Sequence, residues 1–169
     1  KQILNRLDQL ENSRSKKKNR TCIRYDGNVE NQFNGILTHL GNGNSLKSLE
    51  NGIIEILSSS IIDENAVFCQ PKNILNHEDE NNYFQSKNEQ NAWICIHFIN
   101  SCVNITNYSI KSYGNSGKCD INLRNWDILG SNDFKNWDVL DNRHDEKSFE
   151  NCGESNTFEV SNSLNQHNY

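Results

Sequence analysis

The chain has 169 residues, a formal net charge of −5, 34% hydrophobic and 23% charged residues, nine Gly, one Pro and no Met. One domain is the prior at this length, and Leu, Ile, Val and Phe together, roughly a quarter of the chain, exceed the ~20% below which chains stay disordered, so a lean core can form. The longest nearly apolar run, Trp93 to Ile99, is far short of the ~20 residues of a membrane-spanning helix, which excludes such a span, and no secretory signal pattern is visible.

Residues 1–12 place Ile3, Leu4, Leu7 and Leu10 at helical spacing among polar residues, which predicts a short amphipathic helix. Helices below about 12–15 residues are marginal alone, so this one reads as the tail of a longer helix or coiled coil upstream, through which the protein would oligomerise. Arg14 to Arg20 follows, with five basic residues in seven. Such a run fits a nuclear localisation signal or a nucleic-acid patch; the plainer reading makes residues 1–20 a helix and a solvated linker ahead of an acidic body. Residues 1–20 hold seven Lys or Arg against two Asp or Glu, and residues 21–169 hold ten against twenty. Phosphate contacts need cations that this body lacks, so nucleic acid is not expected as the main ligand.

From Gln32 onward the pattern is short apolar segments between polar turns. Strands are expected at Gly35 to Leu40, Gly52 to Ser58, Ala92 to Phe98, Ile105 to Tyr113, Asn125 to Ser131, Trp137 to Asp141 and Thr157 to Val160. Regularly spaced short strands with turn residues between them predict an all-β antiparallel sandwich or barrel. Residues 163–169 read as a polar tail. The 30 Asn are dispersed and suit a turn-rich β protein. Asn19, Asn104 and Asn107 open glycosylation sequons, but about four such matches arise by chance at this composition, so they carry no inference about secretion.

Cysteines stand at 22, 69, 95, 102, 119 and 152. The even count permits disulfides, yet no C-x-x-C pair or zinc-finger spacing is present, and Cys95 lies inside an apolar run where free Cys behaves as a small hydrophobe. Reduced, structural cysteines of an intracellular protein are expected, in the cytoplasm or on the cytoskeleton. No G-x-S-x-G, phosphate-cradling Gly-rich loop or H-E-x-x-H occurs. Glu78-Asp-Glu80 reads as a solvated loop rather than an acid–base pair. The expectation is a protein that is not an enzyme and needs no cofactor or metal.

Trp126-Asp-Ile-Leu-Gly-Ser-Asn-Asp133 and Trp137-Asp-Val-Leu140 read as two strands around a turn, each opened by a Trp. Trp126 and Ile128 share one face and Trp137 and Val139 another, and both Trp are expected as core anchors. This stretch resembles the W-x-I-x-G-S-N-D-x-x-x-W hairpin of the discoidin family, the coagulation factor V and VIII C-terminal type. Gly52 to Ser60, Pro71 to Leu75, Tyr83 to Ser86, Trp93 to Phe98 and Asn107 to Ser112 resemble further segments of that family, in order. The resemblance covers residues 32–162 and is nearest to the Asn-rich protist versions that follow a BTB-type or coiled-coil segment.

The resemblance implies a galactose-binding-like jelly-roll β-sandwich with Trp93, Trp126, Trp137 and Tyr108 in its core, preceded here by the short N-terminal helix. It implies a binding function, with ligands held by loops at one end. The matching positions are Ile61, Ile62, Asp63 and Glu64 in a first loop, Gln85, Ser86 and Lys87 in a second, and Asn115 and Lys118 in a third. It also makes Cys22 and Cys152 the candidates for the bridge that secreted members form, and puts His97 where the family carries an acid. The acidic rim of the first loop argues against docking to anionic lipid, while Asp63, Glu64 and Asn65 could contribute to a calcium site if further oxygens converged. The leading expectation is therefore an intracellular protein-interaction module, an adaptor or scaffold. The alternatives are a glycan-binding, lectin-like domain of a secreted or surface protein and a structural component of a cytoskeletal assembly.

Overall fold

The computed structural model describes residues 21–114 and 123–161. The expected N-terminal helix and basic linker, the loop residues Asn115 and Lys118, and the polar tail lie outside the described residues.

Gly35 to Leu40, expected as a strand, is the short helix α1 (Ile36–Leu40). Ile36, Leu37 and Leu40 fall at i, i+1 and i+4, a helical period rather than an alternating one. The helix is stopped by a turn in which Asn42 and Gly43 take φ of 54° and 93°, and the Gly43 N–H returns to the Thr38 carbonyl at 2.8 Å, as helix ends commonly do. Gly41 must lack a side chain, since a Cβ would lie 1.8 Å from the Asn44 carbonyl oxygen. Asn44 then caps α2 (Ser45–Glu50) by accepting from the Leu46 N–H at 3.0 Å, the usual use of Asn at that position.

The strands are β1 (Ile54–Ser58), β2 (Ile94–Phe98), β3 (Asn107–Lys111), β4 (Trp126–Gly130), β5 (Asp138–Arg143) and β6 (Ser155–Glu159). They form antiparallel pairs: β1 with β2 from Ile54↔Phe98 to Ser58↔Ile94, β3 with β6 from Asn107↔Glu159 to Lys111↔Ser155, and β4 with β5 as a hairpin. Strand outweighs helix, and the fold is β-rich.

The hairpin carries a bulge. Ile128 faces Asp141 and Leu129 faces Val139, so Leu140 has no partner across the pair. The extra residue changes the parity of β5: Leu140 and Asp141 are both buried although adjacent, whereas Val139 and Trp137, two and four residues before Asp141 and on its face in a regular strand, are 48% and 43% exposed. Trp137 is therefore not a core anchor. Trp93 is not one either, being 51% exposed at the mouth of β2, where its N–H donates to Ser59 Oγ at 3.1 Å.

Trp126 and Tyr108 do meet in an aromatic cluster. The Phe158 ring lies 5.2 Å from Trp126, 5.4 Å from Tyr108 and 5.9 Å from Phe149, offset or edge-on, each such pair being worth about 0.5–1.5 kcal/mol beyond burial. A polar chain runs beside it. Trp126 Nε1 donates to Tyr108 Oη at 2.8 Å, Tyr108 Oη donates to Asp141 Oδ2 at 2.6 Å, and Arg143 Nε donates to the same oxygen at 2.8 Å. Arg143 also donates to the Glu159 carbonyl at 2.8 Å and lies 5.1 Å over the Phe158 ring. The chain thus ties the β3–β6 pair to the β4–β5 pair.

Cys152 is disulfide-bonded, while Cys22, Cys69, Cys95 and Cys102 are free. This corrects two expectations. The cysteines are not all reduced, and the Cys22–Cys152 bridge is absent because Cys22 is an exposed thiol.

Burial would raise the Asp141 carboxyl, but hydrogen bonds from Tyr108, Arg143 and Ser161 outweigh it and hold the group at about 2. A depressed folded-state value contributes stability above the unfolded value and loses it as pH falls toward the folded one, here about 2.5 kcal/mol in full. Between pH 6 and pH 2.5, urea unfolding of the wild type should lose about 1.5 kcal/mol more than unfolding of Asp141→Asn; equal losses in the two proteins would show that Asp141 does not control acid stability.

Candidate functional site

The first loop leaves β1 through Ser58-Ser59-Ser60, and the hydroxyls of Ser59 and Ser60 tie it to the segment ahead of β2. Ser59 N–H donates to the Trp93 carbonyl at 3.0 Å. Ser60 Oγ donates to Glu89 Oε1 at 2.6 Å and accepts from the Lys87 N–H at 3.1 Å. Two residues further on, the Ile62 N–H donates to the Gln85 carbonyl at 3.0 Å. The start of the first loop is therefore joined along the second by bonds between residues more than twenty apart in sequence, a contact made through hydroxyl, carboxylate and backbone groups.

Between them lies an open cleft of ≈ 510 Å³ lined by Ile62, Gln85, Ser86, Lys87, Asn88 and Glu89. Ile62 is 46% exposed and Ile61 is half-buried. The first therefore presents an apolar side chain to the cleft. Asp63 turns back on its own loop and accepts from the Asn65 N–H at 2.9 Å, an Asx-turn. Glu64 is exposed, and its carbonyl accepts from Gln70 at 3.3 Å. The far side of the loop is fastened by buried Asn73, whose amide donates to the Phe68 and Tyr83 carbonyls at 2.9 Å and 3.1 Å.

The expected residues Ile62, Gln85, Ser86 and Lys87 thus line one cleft, with Ile61, Asp63 and Glu64 on its adjoining loop. Asn88 and Glu89 belong to the same family-matched loop, residues 84–89, but are not among the ligand-binding positions expected from the sequence. Their signal was the serine run facing them, since hydroxyls at a strand end seek a carboxylate or a backbone partner. The Ser60 hydroxyl, followed by that of Ser59, holds the Glu89 carboxyl below its ordinary value. The cleft consequently presents one ammonium, one carboxylate kept ionised, amide groups and an apolar side chain. Beneath it Cys69 is fully buried, and its thiol donates to the Gln85 carbonyl at 3.7 Å. Burial pushes that thiol up, which keeps it protonated and unreactive. Among the described residues no group of three or more His, Cys, Asp or Glu could hold a metal ion, and no helix is long and apolar enough to cross a membrane.

No protein-family model matches the chain, and no curated protein matches it significantly. The resemblance to discoidin domains accordingly rests on the motifs quoted above.

Replacing Ser60 by Ala removes the two bonds that its hydroxyl makes to the second loop. The Glu89 carboxyl should then titrate closer to the ordinary glutamate value, and the Lys87 amide should exchange about tenfold faster, the cost of one lost hydrogen bond. An NMR titration and an amide-exchange measurement read the two effects, and neither moving would show that the hydroxyl does not join the loops.

Proposed function

We propose that this chain is a non-catalytic binding module, a discoidin-like jelly-roll sandwich that captures a protein partner in the cleft between residues 60–66 and 84–89. One observation carries the reading. Two loops chosen from discoidin-like motifs, distant in sequence, meet in a cleft with a half-exposed Ile62 at its edge. An isolated apolar side chain surrounded by amides and one charge of each sign suits a polypeptide, which brings both apolar and hydrogen-bonding groups. The rim of Asp63, Glu64 and Glu89 disfavours anionic lipid. The partner would be held by a few side chains around Ile62.

A second reading has an observation of its own. The Cys152 disulfide belongs to oxidising compartments and favours a secreted or surface setting, where the same cleft would take a glycan. The free Cys22, Cys69, Cys95 and Cys102 favour the cell interior, in the cytoplasm or on the cytoskeleton.

Ile62→Asp separates binding from folding, because Ile62 is half-exposed and its loss leaves no cavity. The variant should lose about tenfold or more of partner capture in a pull-down from native extract, with an unchanged circular dichroism spectrum and midpoint of unfolding. Unchanged capture would move the site elsewhere, and saturable monosaccharide binding by calorimetry, lost in Lys87→Ala, would select the glycan reading.

A further inference from the structure

The turn of the β4–β5 hairpin carries an aromatic group that neither the core nor the cleft uses. Phe134 occupies the left-handed region at φ 59°, a conformation that a bulky residue adopts only when its surroundings impose it. Here they do. Ser131 Oγ accepts from the Phe134 N–H at 3.0 Å, Asp133 Oδ1 accepts from the Lys135 and Asn136 N–H groups at 2.8 Å each, and Asp133 Oδ2 accepts from Asn136 Nδ2 at 2.7 Å. The result holds the Phe134 ring outward, 51% exposed. Trp137 meets it edge-on at 6.2 Å and His97 at 4.9 Å. His97 is itself fixed by Glu55 Oε2 at 3.1 Å. Along the outward face of the hairpin the same surface continues through the cross-strand pair Leu129 and Val139, 45% and 48% exposed.

A solvent-facing aromatic pair beside aliphatic side chains, on a turn whose backbone is already held by its own hydrogen bonds, has the makeup of an interface anchor, because little backbone freedom remains to be lost on binding. The charges around it select the occupant. Glu55 holds His97, Asp127 lies on the outward face of β4 beside Leu129, and Asp138 follows Trp137, against Lys135 alone of the lysines and arginines on the turn. A second copy would bring the same carboxylates to a self-complementary contact. Anionic lipid and nucleic acid would meet them with phosphates. We propose that this face is a second docking surface, which takes a polypeptide segment whose apolar side chains are bordered by lysine or arginine. Such a segment supplies aliphatic groups to Phe134 and Trp137 and cations to the carboxylates.

The test titrates the full chain with two short capped peptides, leucine alternating with lysine in one and with glutamate in the other, read by fluorescence anisotropy. The lysine peptide should bind about tenfold more tightly, and the preference should shrink as salt is raised. Phe134→Gly removes the ring while relieving the left-handed strain, so the fold survives, and the lysine peptide should lose about tenfold in affinity. Equal affinity for the two peptides would overturn the proposal, as would full affinity in Phe134→Gly. So would a dimeric mass for the free chain that Phe134→Gly converts to monomer, since the occupant would then be a second copy.

Discussion

Asp141 is 1% exposed, and an isolated carboxylate in such a place would be neutralised rather than kept. It stays charged because Tyr108, Arg143 and the Ser161 N–H all donate to it. Those donors come from β3, from β5 itself and from the residues after β6. The carboxylate thereby fixes the relation of one strand pair to the other, which the apolar contacts of a lean core would leave loosely specified. The Tyr108 hydroxyl, raised to about 12 by burial and by that carboxylate, remains a donor at every pH the protein meets. It can therefore accept from Trp126 and donate to Asp141 together. The bulge at Leu140 is what brings Asp141 inward, and with it the register of the hairpin, the outward position of Trp137 and the orientation of the turn are all determined.

The periphery is built by a different route. Carboxylates and amides near the chain's own turns take up backbone N–H groups: Asn28 and Asn44 cap, Asp63 and Asp79 close Asx-turns, Asp133 gathers the hairpin tip, and Glu154 accepts from Asn151. These bonds are short-range and cost little ordering, so they stiffen loops that bury almost nothing. A chain with 30 Asn can hold shaped surfaces on a small core in this way. The cleft and the aromatic tip both depend on it.

Most strands were legible because their apolar runs sit between turn residues, and the observed bounds of β1 to β6 fall within a few residues of the expected ones. Gly35 to Leu40 was not, since three apolar residues in a five-residue segment are too few for their i, i+1, i+4 spacing to be read alone, and the Gly41-Asn-Gly-Asn44 turn, a helix stop followed by a helix cap, is the stronger mark of the helix. Trp137 was misplaced for a different reason. Alternation along β5 holds until one extra residue reverses it, and a bulge leaves no mark in composition. The meeting of Ile62 with Gln85, Ser86 and Lys87 came from motif order, not from periodicity. The contact of His97 with Phe134 joins β2 to a turn that lies far along the chain, and nothing local in either segment announces it.

The cysteines have a consequence for how the protein fails. Cys69 is sealed beneath the cleft and Cys95 is half-buried, while Cys152 is already paired. Among the described residues the thiols at hand in the native state are the exposed Cys22 and Cys102. Unfolding releases the other two, and each becomes a nucleophile for thiol–disulfide exchange with the Cys152 bridge. The chain that cools is then a mixture of covalent isomers. At neutral or alkaline pH its endurance is accordingly governed by how rarely the structure opens, a kinetic property, rather than by the equilibrium between folded and unfolded forms.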